Sequence, residues 1–147
     1  MLTFLKVKRG MIFMVYKLKK EFNICCSHRL YNEKLSEEEN EVLFGKCSNF
    51  PSHGHNYKII INLKCSRLNK HSGMVINFDN IKRIFKNKID DVYDHKFLND
   101  CPGFENKVPT AENMCKIFYD ILKDSLPYLY AIEIYETDSA SAIYEEN

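Results

Sequence analysis

The sequence lacks the features that would assign it to a membrane, secreted or nucleic-acid-binding class. No apolar run approaches the roughly 20 residues that a membrane-spanning helix needs. Residues Met1 to Arg9 have neither the long apolar core nor the cleavage site of a signal peptide. The 21 basic and 20 acidic residues leave a net charge of +1, so no charge excess indicates nucleic acid or an anionic membrane as a partner.

Disulfide patterns, internal repeats and low-complexity segments are also missing. The six cysteines form no C-x-x-C pair and do not have the spacing of a disulfide scaffold. Free thiols are typical of proteins in a reducing compartment, so we predict a cytoplasmic location.

What the sequence does contain is enough for one globular domain. With 147 residues, of which 45% are hydrophobic, the chain can bury a sizeable core. We predict an N-terminal extension over residues 1–13, with Met11 and Met14 as alternative starts, and a single domain over residues 14–147.

Hydrophobic periodicity and capping residues predict the order of the secondary structure. The predicted elements are a strand from Ile12 to Ser27, a helix capped by Ser36 and ended by Gly45, a strand from His55 to Ser66, a short strand from Met74 to Asn77, a helix from Phe78 to Tyr93, a helix from Thr110 to about Leu126, and a hairpin over 131–135 and 142–144. This order predicts an α+β fold, in which an antiparallel sheet carries helices on one face.

Two histidines separated by one residue are the strongest chemical signal. His53 and His55 project from the same face of an extended strand, which makes half of a zinc site. A catalytic zinc needs a third protein ligand, and His28 at the end of the first predicted strand could supply it if the strands pair. The alternative is that these histidines are structural or surface residues, which is the better interpretation of His71 in its Lys-His-Ser-Gly turn.

Two further positions each have two interpretations, and a third has one. Cys47 is either a small buried apolar residue or, if an imidazole or metal lowers its pKa, a nucleophile or base. Asp94 either orients the imidazole of His95 or forms an ordinary pair at a helix end. Glu136, at the end of a predicted strand, is by default a solvated acid.

Several separated motifs together resemble the 6-pyruvoyltetrahydropterin synthase family. The resemblance covers about Tyr16 to Tyr144 in one order. It is carried by Ser27-His28-Arg29-Leu30-Tyr31, Leu43-Phe44-Gly45-Lys46-Cys47, His53-Gly54-His55-Asn56-Tyr57-Lys58, Gly73-Met74-Val75, Asp94-His95-Lys96, Thr110-Ala111-Glu112-Asn113 and Tyr135-Glu136-Thr137-Asp138.

The resemblance implies a fold, an assembly and a set of site residues. The fold is the T-fold, in which a four-stranded antiparallel sheet has two helices packed on one face. Three subunits close their sheets into a barrel, and two trimers stack into a homohexamer with active sites between subunits. The implied residues are His28, His53 and His55 for Zn2+, Cys47 with Asp94 and His95 of a neighbouring subunit for catalysis, Glu136 as the pterin anchor, and Thr110 and Glu112 as residues lining the pterin pocket.

The implied reaction is a lyase reaction on a pterin triphosphate. Triphosphate leaves 7,8-dihydroneopterin triphosphate, and internal proton shifts give 6-pyruvoyltetrahydropterin, a precursor of tetrahydrobiopterin. The absence of a G-x-G-x-x-G fingerprint agrees with a reaction that needs no external redox cofactor.

Three related activities are alternatives to this one. A 6-carboxytetrahydropterin synthase of queuosine biosynthesis would share the site residues, but it usually has shorter spacings around the cysteine. A relative in folate synthesis has Glu where Cys47 stands here. A non-catalytic zinc-binding or pterin-binding T-fold protein would not need the intact set of Cys47, Asp94 and His95. The chain departs from the family pattern at Ala111, which replaces a frequent second Thr, and after Asp138.

Overall fold

The structure, a computed structural model, describes residues 15–146. The predicted extension over residues 1–13 lies outside this range. The strands are β1 (Tyr16–His28), β2 (His53–Cys65), β3 (Leu129–Thr137) and β4 (Ala140–Glu145). The α-helices are α1 (Glu37–Phe44), α2 (Phe78–Phe85), α3 (Asp91–Tyr93) and α4 (Ala111–Leu122). Short 3-10 helices span Gly45–Ser48 and Leu98–Asp100, and a π-helical segment spans Lys86–Asp90.

The four strands form one antiparallel sheet in the order β1-β2-β3-β4. The pairing of β1 with β2 runs without a break from Tyr16 opposite Cys65 to His28 opposite His53. Because side chains alternate between the two faces of a strand, this register places His28 and His53 on the same face at one end of the sheet.

Helices cover that face of the sheet and form the core with it. On β2 the alternate residues predicted to face inward, from Tyr57 to Leu63, are fully buried. They belong to one apolar cluster with residues of β1, the helices and β3; its members include Ile24, Ile59, Ile61, Ile81, Phe85, Met114, Phe118, Leu122, Ile132 and Ile134. The predicted α+β architecture with helices on one face is therefore confirmed.

The opposite face of β2 is less open to solvent than the alternation predicted. Ile60 and Asn62 are only 6% and 3% exposed. On the same strand, Lys58 lies over the ring of Tyr135 and Lys64 lies over the ring of Tyr130.

Helix caps form where the sequence predicted them. The Ser36 hydroxyl accepts from the Glu39 amide at 3.1 Å, and the Glu39 carboxylate accepts from the Ser36 amide at 2.8 Å, which is a complete capping box. Thr110 caps α4, but this helix ends at Leu122 rather than near Leu126. The chain after Leu122 tightens into a turn, in which the Ser125 amide donates to the Leu122 carbonyl at 3.0 Å.

Two further predicted elements are corrected by the structure. Residues Met74–Asn77 do not form a strand. Their backbone is used in a loop instead, since the Met74 carbonyl accepts from the Asn69 amide at 2.9 Å and the Asn77 side chain caps α2. Strand β2 begins at His53, two residues earlier than predicted, because its pairing with β1 continues that far.

The segment from Phe78 to Tyr93 is helical throughout, as predicted, although the π-helical segment at Lys86–Asp90 interrupts the α-helical hydrogen bonding. Among residues 15–146, no helix combines the length and the apolar character needed to cross a membrane.

Candidate metal centre and active site

Three histidine side chains meet at the end of the sheet where β1 and β2 pair. His28 and His53 are direct partners in the register, and His55 follows two residues later on the same face. The Nε2 atoms of His28 and His53 are 2.9 Å apart. One ring nitrogen from each of the three histidines lies within 4.8 Å of the other two, so the group can hold a metal ion.

The hydrogen bonds of His28 determine which of its nitrogens is free. Its Nδ1 lies 2.8 Å from the carbonyl oxygen of Pro109 and 3.1 Å from the hydroxyl of Tyr57. A carbonyl can only accept, so Nδ1 carries the proton and donates it to Pro109. The lone pair of the fully buried His28 ring is therefore on Nε2, the atom that faces His53.

His55 supplies a second sign that this site fits a metal. Its Nε2 atom is buried and has no hydrogen-bond partner among the described residues. Oε1 of Glu136 lies 3.5 Å from it, which is longer than an ordinary hydrogen bond. A buried polar atom without a partner is rare in folded proteins, and a metal ion at this point would satisfy it.

Burial also favours the protonation state that a metal requires. It lowers the pKa of both His28 and His55 from the ordinary value. These imidazoles are therefore neutral near pH 7, and a neutral imidazole is the form that ligates metals. An all-nitrogen donor set suits zinc and its neighbours among the transition metals better than calcium or magnesium.

Asp94 and His95 form a hydrogen-bonded pair on a loop held against β1. The Asp94 carboxylate accepts from the Cys25 amide at 2.7 Å with one oxygen, and its other oxygen lies 2.8 Å from Nδ1 of His95. Burial acts to raise the pKa of Asp94, but the Cys25 amide and His95 outweigh it, so the pKa is lowered. Asp94 is therefore ionised near neutral pH and can orient His95.

The backbone of this loop presents His95 to solvent. The His95 amide donates to the Cys25 carbonyl at 2.7 Å, and the Ser27 amide donates to the Lys96 carbonyl at 3.0 Å. His95 has a φ of 58°, a left-handed conformation that few non-glycine residues adopt. Its side chain is 78% exposed, so the ring extends away from its own chain.

Cys47 lies apart from this pair within one chain. It is half-buried in the 3-10 turn after α1, and its carbonyl accepts from the Leu30 amide at 2.9 Å. Across residues 15–146, no hydrogen bond or ion pair joins Cys47 to Asp94 or His95.

The three predicted pterin-contacting residues have different surroundings. Glu136, near the end of β3, is 25% exposed and approaches His55. The Thr110 hydroxyl accepts from the Asn113 amide at 3.2 Å as the cap of α4, and its neighbour Pro109 bonds to His28. Glu112 is exposed in the first turn of α4, where an acid is favourable for the helix dipole.

Sequence reasoning missed the residues that support the histidines. Tyr57 continues the same-face series His53, His55, Tyr57, so the strand alternation contained a signal for it. Asn113 donates to the Val108 carbonyl at 2.8 Å and so fixes the loop that carries Pro109. The Pro109 carbonyl itself has no side-chain signature and could not have been found from the sequence.

The fold and the site together define a T-fold protein with a three-histidine group that can hold a metal ion. The family model described as 6-pyruvoyl tetrahydropterin synthase matches residues 17–147. The chain belongs to this family, whose members are lyases.

Individual relatives agree with the family match. The human 6-pyruvoyl tetrahydrobiopterin synthase is 38% identical over 132 residues, which are 88% of this chain and 90% of the human protein. The protein of the same name from Dictyostelium discoideum is 42% identical over 120 residues, which are 80% of this chain and 87% of that protein. The solved structure of Caenorhabditis elegans 6-pyruvoyl tetrahydropterin synthase superposes with a TM-score of 0.85 at 31% identity, covering 92% of this chain and 98% of that one.

Proposed function

We propose that this protein is a zinc-dependent lyase that converts 7,8-dihydroneopterin triphosphate to 6-pyruvoyltetrahydropterin with loss of triphosphate, a step in tetrahydrobiopterin biosynthesis. The observation that carries the proposal is the convergence of three buried or half-buried histidine nitrogens, one of them without a partner, in a chain of this family. Cys47, which the folate-synthesis relative replaces with Glu, favours this reaction over release of the whole side chain.

In this proposal His28, His53 and His55 are the zinc ligands. Three protein ligands leave one coordination position for substrate, as catalytic zinc sites require. When bound, the metal supplies Lewis-acid polarisation of the side-chain hydroxyls, which makes the protons on their carbon atoms more acidic.

Cys47 and the Asp94–His95 pair move the protons. Cys47 as a thiolate takes a proton from a side-chain carbon of the substrate, and His95 acts as the partner acid and base. The 2.8 Å contact between Asp94 and Nδ1 of His95 supports the orienting role of Asp94, since it leaves Nε2 of the exposed ring to exchange protons.

Glu136 orients the pterin. A carboxylate can accept two parallel hydrogen bonds, which matches the amino group and ring N–H on one edge of a pterin. Glu136 is partly exposed and lies beside His55, so a ring anchored there would have its side chain close to the histidine group. Thr110 and Glu112 line the same pocket in this proposal, and the cap bond of Thr110 leaves its hydroxyl proton free to donate.

The proposed assembly is a homohexamer, a dimer of trimers, with active sites between subunits. Two observations support it. His95 extends away from its own chain, which suits a partnership with Cys47 of a neighbour. Strands β1 and β4 are the edges of the four-stranded sheet, and open edges favour pairing between subunits. We also expect the protein to be cytoplasmic, in keeping with its free thiols.

One experiment tests the proposed reaction directly. The purified protein is incubated with 7,8-dihydroneopterin triphosphate, triphosphate release is measured, and the product is identified by mass. The proposal expects triphosphate and the pyruvoyl product, with activity lost on exhaustive chelation and restored by zinc. A carboxy product would indicate the 6-carboxytetrahydropterin activity, and no release would indicate a binding protein. Full activity after chelation would refute the proposed role of the metal. An active monomer by light scattering would refute the proposed assembly.

A further inference from the structure

Tyr57 contacts two of the three histidines and is itself completely buried. We propose that Tyr57 is a positioning residue of the metal site, whose hydroxyl holds the ring of His28 so that Nε2 faces the metal. This inference rests on the proposed zinc site of His28, His53 and His55, and it assigns a role to a residue outside that ligand set.

The hydroxyl of Tyr57 is placed to act as a second acceptor for His28. The Nδ1–H group of His28 points to the Pro109 carbonyl at 2.8 Å and has the Tyr57 oxygen at 3.1 Å. Because the carbonyl can only accept, Nδ1 is protonated, and the Tyr57 oxygen is the second acceptor of a bifurcated hydrogen bond from that N–H group. Two acceptors restrict rotation of the imidazole more than one does.

Packing keeps the Tyr57 ring in place. Its centroid is 6.0 Å from that of His28 at an interplanar angle of 81°, and 5.4 Å from that of His55 at 61°. These are edge-to-face contacts, which aromatic rings prefer. The residue stands on β2 two positions after His55, so the strand that carries two of the ligands also carries this support.

Packing alone does not explain why residue 57 is a tyrosine with a hydroxyl group rather than a phenylalanine. Burying a hydroxyl without a hydrogen bond is unfavourable, and a phenylalanine would fill the same core position without that cost. Within residues 15–146 the hydrogen bond that the Tyr57 hydroxyl makes is the one to His28. Partners of this kind, which contact a ligand rather than the metal, typically change metal affinity by about 10- to 100-fold when they are removed.

The test is the zinc affinity of Tyr57→Phe, measured by competition with a chelator of known affinity. We expect zinc to bind roughly 10- to 100-fold more weakly than in wild type. Tyr93→Phe is the matched control, because Tyr93 is also buried and donates to the Pro102 carbonyl at 2.9 Å, away from the histidines. Equal zinc affinity in Tyr57→Phe and wild type would overturn the proposal.

A second measurement needs neither zinc nor activity. In metal-free protein labelled with ¹⁵N, the imidazole spectrum of wild type should show His28 protonated on Nδ1. Tyr57→Phe should shift the Nδ1 resonance of His28, while Tyr93→Phe should leave it unchanged. A wild-type His28 protonated on Nε2 overturns the proposal, as does an unchanged spectrum in Tyr57→Phe. If wild type shows the expected tautomer but binds no zinc, the proposed function fails and the positioning of His28 by Tyr57 stands.

Discussion

Replacing Asp94 with asparagine changes one atom of the proposed proton-transfer pair and leaves its shape intact. In the structure one oxygen of Asp94 accepts from the Cys25 amide, and the other faces Nδ1 of His95. The asparagine must keep its oxygen towards Cys25, because turning its amino group there would oppose two donors. The amino group then faces His95, which must present an unprotonated Nδ1 and carry its proton on Nε2.

The size of the effect follows from these contacts. Loss of a hydrogen bond to a charged group costs about 1.5–3 kcal/mol, which is roughly a 10- to 150-fold loss of rate if the bond acts in the transition state. The wrong imidazole tautomer adds to this, and in a serine protease the same Asp-to-Asn change lowers turnover by about 10⁴-fold. We therefore expect Asp94→Asn to lower kcat by about 10²–10⁴-fold.

The assay is steady-state triphosphate release together with zinc content and pterin affinity. Zinc content and pterin affinity should stay near wild type, since Asp94 touches neither the three histidines nor Glu136. Asp90→Asn is the matched control, because Asp90 lies in the helical segment just before the Asp94 loop and its carboxylate accepts from Nζ of Lys86 at 3.1 Å. Wild-type turnover in Asp94→Asn would show that the Asp94–His95 pair has no part in the reaction.

The same variant makes a prediction about acid stability. The pKa of Asp94 is lowered in the folded protein, so its ionised form stabilises the fold. That contribution is complete above the unfolded pKa of about 4 and is lost as the pH falls through the lowered folded value. The unfolding free energy of Asp94→Asn should therefore depend less steeply on pH below about 4. Identical acid slopes in urea titrations of the two proteins would contradict this.

Two further variants separate the proposed roles, and a third tests the packing of a buried polar side chain. Cys47→Ala should lower turnover by about 10²–10⁴-fold with near-normal zinc content, and a wild-type rate would transfer the role of base to another group. Glu136→Gln should first weaken pterin binding in a fluorescence titration, because an amide cannot accept both hydrogen bonds; unchanged affinity would remove the anchor role. The fully buried Asn40 side chain forms hydrogen bonds with backbone groups of Asn32, Leu35 and Ser36. Asn40→Ala should therefore lower the unfolding free energy, measured by urea titration, by about 2–4 kcal/mol. A decrease below about 0.5 kcal/mol would contradict that reasoning.

Local signals predicted most of the secondary structure because their physics is local. The capping box of Ser36 and Glu39 closes within one helical turn, so it forms wherever that segment becomes helical. The apolar alternation from Tyr57 to Leu63 predicted a strand with one buried face, and that face is buried. The strand predicted for Met74–Asn77 was wrong, because β-branched residues favour a strand only if a neighbouring strand is available. Here the segment belongs to a loop and a helix cap.

The sequence by itself determined which chemical groups are available for the candidate site. A spacing of two on an extended strand puts His53 and His55 on one face whatever the rest of the chain does. It also placed His28 at the end of a strand and Asp94 next to His95, which made both pairings possible, and the resemblance to the family assigned these residues to one site. The shared face of His53 and His55 needed only the residue types and the period of a strand.

Only the tertiary structure decided how these residues are held. The register of β1 and β2 sets His28 opposite His53, and the loop before α4 brings the Pro109 carbonyl to Nδ1 of His28. A strand register depends on the whole pairing surface, and every residue has a backbone carbonyl. Neither the register nor this carbonyl contact could therefore be predicted from the residue type at one position. The tautomer of His28, and with it the direction of the nitrogen that is free to bind a metal, therefore follows from the fold rather than from any motif.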